Sequence, residues 1–533
     1  WKKNSMLFTT YQFALFVFVL FVIYYLVNKK YQWIILLIGS YLFYAYAGVS
    51  YLFYFLTTTL STYLISQRIK VVKQRQKEYM SQHKEELTKQ EKRQYKEAMK
   101  AKQWHYLLLC LLFNFGVLAV VKYTDFMIGN INGIIGLFNG QPLSFMNFAL
   151  PMGISFYTFQ TMSYIIDVYR GTCQVEDNVF KLGLFVSFFP QVIQGPISRF
   201  NDLSQTLYQE HDFDLRQIHF GFQRVLWGYF KKLVIADRIL VAVNTLIGDP
   251  STYDGIFVLV GMVFYAIELY ADFTGGIDIT IGVAQMFGVH LTENFERPYF
   301  SKDIAEYWRR WHITMGTWFK DYIFYPLSIH KSMLHFSTWC RKHMPGGLGK
   351  RVPVYVSSFI VWFATGIWHG ASWNFIVWGL LNCLVICVSE EFKPFYKWFH
   401  EHFHVSGKLY FRLFQVMRTF LLMSSLRILD CYRNVPLSFS MFGSMFTDFH
   451  ISELTGDALL QLGLSHIDYM ILIVGVIILI TFSLIQRKGS VREKLNQKPI
   501  VSFVVDYVLI FVIVLFGAYS IGYDASQFIY NQF

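Results

Sequence analysis

His369 stands in Gly366-Ile367-Trp368-His369-Gly370, the one polar interruption of a stretch, residues 354–388, that carries no Asp, Glu, Lys or Arg. An imidazole titrates near pH 6.5, so it is the side chain best suited to take or give a proton near neutrality. Inside an apolar run it is expensive to place, and glycine on both sides is expected to break the helix and let a ligand approach. A second constellation runs from Asn294-Phe295-Glu296-Arg297-Pro298-Tyr299 to Trp308-Arg309-Arg310-Trp311-His312. Trp308, Trp311 and His312 have i, i+3, i+4 spacing, which predicts one shared helix face. Arg309 and Arg310 project to the sides of that helix. There they can meet lipid headgroups in a basic aromatic belt, or the phosphates of an anionic donor. In the third constellation Glu268 and Asp272 are four apart and share a face, and Asp278 follows the Gly275-Gly276 pair, which is expected to end the helix. General-acid work by the carboxylates and a structural role at a helix end both remain open.

The elements that must hold these groups are set by the chain's solvent. Of 533 residues 54% are apolar and 15% charged, against roughly 45–50% and about 25% in soluble domains. This excludes disordered, fibrous and ordinary cytosolic classes and predicts an all-α integral membrane protein. Apolar runs at 6–27, 32–48, 50–66, 105–121, 256–272, 353–379, 410–425, 468–486 and 501–522 read as spans. Weaker runs at 145–165, 181–198, 222–246 and 374–389 read as tilted, broken or re-entrant helices around a cavity. The expected total is about 11. The first run is long and followed by Lys29-Lys30, so it reads as a span and not as a cleavable leader.

The net charge of +12 is concentrated in two blocks: residues 68–102 hold 12 Lys/Arg and 5 Glu, and residues 302–351 hold 9 Lys/Arg and 3 Asp/Glu. Basic blocks between spans are expected on the cytoplasmic side, which places the amino terminus outside and residues 68–102 inside as a helical segment near the membrane. The same placement argues against nucleic acid as a partner. The expected organisation is N-terminal transmembrane helices (1–67), a basic cytoplasmic segment (68–104), a catalytic core (105–400) and C-terminal transmembrane helices (401–533). The six cysteines form no CxxC pair and read as small buried hydrophobes. His400, His402 and His404 alternate in an aromatic segment and read as an interfacial patch, so no metal site is expected. No nucleophile elbow is present, because Gly153-Ile154-Ser155-Phe156-Tyr157 lacks its second glycine, and no P-loop is present either.

Four ordered stretches resemble the membrane-bound O-acyltransferases, and within them the bacterial branch of alginate and peptidoglycan O-acetyltransferases. They are Leu150 to Gln160 with Asp167 to Gly171, Phe189 to Phe200, Asp272 to Leu327, and Trp368-His369-Gly370. The resemblance implies that His369 is the catalytic histidine and that His312, 57 residues earlier, is a second functional polar residue meeting it across a central tunnel. Asp272, Asp278, Asn294, Trp308, Trp311 and Trp368 would support the site or line the substrate path, and Arg309 and Arg310 would face the donor's phosphates. It further implies no bound cofactor, a cytoplasmic acyl thioester such as acetyl-CoA as donor, and a hydroxyl acceptor on an extracytoplasmic cell-surface polysaccharide. An extracytoplasmic acyltransferase partner protein is implied as well, at the plasma membrane. A rival reading is D-alanyl transfer to teichoic acid from a carrier-protein thioester. From another class, a secondary transporter or flippase would use the buried carboxylates and histidines as a proton relay.

Overall fold

The computed structural model describes residues 6–192 and 194–519. Among them the chain is helical, and its one extended pairing is an isolated antiparallel bridge between Phe295 and Trp311. Six helices are long and apolar enough to cross a bilayer: Lys89–Leu137, Ile256–Met286, Leu348–His369, Trp373–Glu391, His466–Gln486 and Pro499–Phe516. The first run of the sequence gives a shorter apolar helix, Tyr11–Leu26. Along His466–Gln486 and Pro499–Phe516, side chains such as Ile473, Ile477, Phe503, Phe511 and Val514 lie more than half exposed. Apolar faces of that extent need lipid around them.

Two compact units divide the chain, one of residues 1–221 with 280–291, the other of 222–279 with 292–533. In the first, Leu52–Gln82 and Lys89–Leu137 pack side by side as a long hairpin that carries the basic block. Thr88 caps the second helix through a reciprocal bond with Glu91, and Tyr79 stacks on Tyr95 at 4.1 Å between ring centroids. A 49-residue helix is about 74 Å long, so it outruns a hydrocarbon layer of about 30 Å. The run at 145–165 begins its helix only at Ile154, and the run at 181–198 gives two short helices, Val179–Ser187 and Phe189–Val192.

The second unit holds every candidate site residue. Its central hairpin corrects one expectation: the run at 353–379 is not a single span. Leu348–His369 ends at Gly370, and Trp373–Glu391 returns antiparallel to it. Arg351, at the start of the hairpin, forms a two-point ion pair with Glu391 at its end, with N–O distances of 2.7 and 2.9 Å. The His369 turn therefore lies at the opposite end, about 27 Å of helix away. The helix breaks at Gly370, as expected, and both glycines let the hairpin close. A Cβ on Gly366 would lie 2.6 Å from the Phe375 carbonyl oxygen, and one on Gly370 would run into the Phe375 ring.

Gly275-Gly276 likewise does not end a helix, because Ile256–Met286 runs straight through it. Gly275 instead meets Gly228, where a Cβ would stand 2.6 Å from the Gly275 carbonyl oxygen. The close approach brings the wide-turned segment Phe230–Ala236 against the carboxylates of the long helix. The helices on either side of that segment are Leu215–Tyr229 and Asp237–Gly248.

Candidate active site

The carboxylates predicted from the sequence are held by cations that the sequence reading did not single out. Lys232 lies between Asp272 at 2.5 Å and Asp237 at 2.7 Å, with all three side chains at or below 1% exposure. Asp278 accepts from Arg224 at 2.8 Å and Lys231 at 2.6 Å, and Arg224 also forks onto Glu293. Lys231 and Lys232 sit in an apolar run, 222–246, and that contrast was the available signal: ammonium groups there require partners. Both aspartates therefore fix the wide-turned segment to the long helix. Lys232→Met would leave Asp237 and Asp272 buried without their cation, a loss of about 3–5 kcal/mol. The full chain in detergent should then melt well below the wild type, and an unchanged melting temperature would contradict the assignment.

The residue after Asp272 points elsewhere. Phe273 packs edge-on against His312 at 5.1 Å. His312 does not continue a helix with Trp308 and Trp311, as the spacing predicted, since Ile304–Arg310 ends there and Trp311 is extended. His312 takes a left-handed backbone, φ 49° and ψ 53°, and starts the next helix, Ile313–Phe319. The break is held by the bridge from residues 294–296. Glu296 N–H donates to the Arg310 carbonyl at 2.9 Å, and Ile313 N–H donates to that of Asn294 at 3.0 Å. A non-glycine residue in this region is uncommon and tends to mark a site whose surroundings impose it.

Asn294 is fully buried and gathers this turn on its side-chain oxygen. Oδ1 accepts from the Thr314 N–H at 3.1 Å and the Thr314 hydroxyl at 2.9 Å, and lies 3.2 Å from His312 Nδ1. The backbone donor fixes which end of the amide is oxygen. His312 Nδ1 must then carry a hydrogen, which leaves Nε2 as the acceptor nitrogen of a neutral ring.

His312 and His369 meet around shared indoles. Trp368 packs 5.9 Å from His312 and 5.1 Å from His369. His369 also packs edge-on against Trp378 at 4.7 Å, and Trp378 in turn touches Trp308 at 5.7 Å. His312, His369, Asn294, Trp308, Trp311 and Trp368 thus form one cluster, with Trp378 added by the structure. Asp272 and Asp278 stand outside it in their ion pairs. Arg310 is bound to Glu306 at 2.6 Å, and Arg309 is exposed.

Beside the cluster lies a cavity of about 730 Å³. Its lining is charged in part, with Arg224, Lys231, Arg297 and Arg492 among Asp278, Glu293, Glu296 and Asp506, and apolar in part, with Phe482, Val508 and Leu509. Neither Arg309 nor Arg310 lines it. Phe295 and Ile313 do, and they adjoin Asn294 and His312 in sequence. Among the described residues no group of three His, Cys, Asp or Glu could hold a metal ion.

Comparison with known proteins bears on this geometry. Residues 177–340 match the sequence profile of the membrane-bound O-acyltransferase family, a match that stops short of His369. The chain is 30% identical over 437 residues to the probable alginate O-acetylase of Pseudomonas syringae pv. tomato, covering 81% of this chain and 74% of that one. It is 30% identical over 321 residues to the peptidoglycan O-acetyltransferase of Helicobacter pylori, covering 55% and 57%. It is 29% identical over 259 residues to the teichoic acid D-alanyltransferase of Bacillus subtilis, covering 46% and 61%.

Proposed function

This chain belongs to the membrane-bound O-acyltransferase family and is a multi-pass O-acyltransferase, and from that premise we propose that it moves an acetyl group from a thioester to a hydroxyl of a cell-surface polysaccharide. The observation that carries the reading is the histidine cluster at the turn of the Leu348–Glu391 hairpin, where His369 and His312 share the Trp368 indole.

His369 takes the proton of the acceptor hydroxyl as its oxygen attacks the thioester carbonyl carbon. The tetrahedral intermediate collapses with cleavage of the C–S bond, and the thiolate leaves with the proton that His369 held. His312, whose Nε2 accepts, orients the acceptor through a neighbouring hydroxyl of the same sugar; as a neutral ring with this tautomer it does not donate to the oxyanion. The partly apolar cavity suits the pantetheine arm of a thioester donor. Holding donor and acceptor in line supplies the larger share of the rate. The acceptor is met directly or through an extracytoplasmic partner protein.

The O-acetyl-transferring relatives match 55–81% of this chain against 46% for the D-alanyl relatives, which favours acetate. Inside-out membrane vesicles containing the full chain, given labelled acetyl-CoA outside and alginate within, should place label on the polysaccharide. Consumption of a D-alanyl carrier thioester in place of acetyl-CoA would move the assignment to D-alanyl transfer. Entry of polysaccharide or lipid without any donor would indicate a transporter.

A further inference from the structure

Arg427 is 5% exposed, at the junction of helices Leu409–Leu426 and Ile428–Tyr432. Its guanidinium donates to Asp430 at 2.8 Å, and that carboxylate is itself buried. Three indoles surround the same cation: its carbon lies 4.7 Å from the Trp378 ring centroid, 5.5 Å from Trp311 and 5.9 Å from Trp308. Burying a guanidinium is costly, and here a carboxylate, a hydrogen bond with Tyr307 and three aromatic faces hold it, an arrangement that suits a planar cation.

What those indoles touch gives the cluster its meaning. Trp311 directly precedes His312 in the chain. Trp378 is fully buried and carries the edge of His369 at 4.7 Å. The two histidines reside on separate segments, one on a strained turn and one at a helix end, and no hydrogen bond between those segments is needed to bring them together if one cation draws both tryptophans. Asn374 ties the return helix to the same place by donating to the Leu429 carbonyl at 3.2 Å.

We infer that Arg427, clamped by Asp430, is a positioning residue that sets the separation of His312 and His369 by holding Trp311 and Trp378 against one guanidinium. The inference rests on the assignment of His369 as the base. It does not make Arg427 a group that touches substrate. A Lys at 427 keeps the charge opposite Asp430 but loses the planar face on which the indoles pack. The histidine spacing then relaxes while the buried ion pair survives.

The test uses the full chain in membrane vesicles with labelled acetyl-CoA and alginate, measuring kcat and donor KM alongside the melting temperature of the purified protein. Arg427→Lys is expected to melt near the wild type, to keep donor KM within about twofold and to lose about 10²-fold in kcat, the cost of misplacing reacting groups by about 1 Å. Arg427→Met should lose at least as much. In a Trp378→Phe background, Arg427→Lys should add little further loss, because both changes relax the same contact. Wild-type kcat in Arg427→Lys, or losses that multiply fully with Trp378→Phe, would overturn the inference. His369→Gln is run in parallel. If that variant transfers at the wild-type rate, the base assignment fails; if it is inactive while Arg427→Lys is unimpaired, only the positioning role falls.

Discussion

His369→Gln should lower acyl transfer by about 10²–10⁴-fold, the contribution expected of a well-placed general base. Glutamine is the informative replacement because it nearly fills the imidazole's volume between Phe375, Trp368 and Trp378. Alanine would open a hole among those rings and add a packing loss to the chemical one. The loss should fall on kcat and leave donor KM close to its wild-type value, since the proton moves only as the acceptor attacks. Labelled acetate transferred per folded molecule, with melting temperature as the folding control, reads the outcome directly. Turnover at the wild-type rate in His369→Gln would remove His369 from the mechanism. A loss confined to KM would make it a binding residue.

His369 was legible in the sequence because membrane helices rarely carry imidazoles, and His312 through its spacing from Trp308 and Trp311 and the family resemblance; both belong to the cluster that the structure assembles. Their neighbours were harder to read for reasons of geometry. Spacing placed Trp308, Trp311 and His312 on one helix face, but spacing cannot register a left-handed residue, and the turn at His312 depends on Asn294 pairing from eighteen residues upstream. Gly275 and Gly366 announced themselves as breaks because glycine ends helices in isolation. In the folded chain each lets another backbone come close, at Gly228 and at Phe375. Arg427 was passed over because its run, 410–425, ended two residues before it, so an arginine at a helix end looked like an ordinary interfacial cation. Only the packing of three separate segments shows that it is buried. Lys231 and Lys232 were visible by contrast with their apolar surroundings, and the partners they require were the aspartates already singled out.

Asn294→Ala should cost about 10²-fold in transfer even though Asn294 contacts no reacting atom in the proposed mechanism, the order of loss seen when one preorganised hydrogen-bonding group is removed from a site. The side-chain oxygen of Asn294 does two things at once: it accepts from the Thr314 backbone and hydroxyl, and it fixes the hydrogen of His312 on Nδ1. Without it the ring is free to carry its hydrogen on Nε2, and the nitrogen meant to accept from the sugar's neighbouring hydroxyl becomes a donor. The left-handed turn also loses the bonds that hold Thr314 in place, so the ring loses its aim as well as its tautomer. Asn294→Asp separates these effects from simple loss of a buried amide, because a carboxylate retains an acceptor for both His312 and Thr314. Activity should therefore rank wild type, then Asn294→Asp, then Asn294→Ala, with donor KM nearly constant throughout. Nitrogen NMR of labelled histidine would follow the tautomer itself: Nε2 should read as the bare nitrogen in the wild type and as a mixture in Asn294→Ala. Equal activity in the two variants would mean that the amide nitrogen of Asn294, and not its oxygen, carries its contribution, and the role given to His312 would fall with that result.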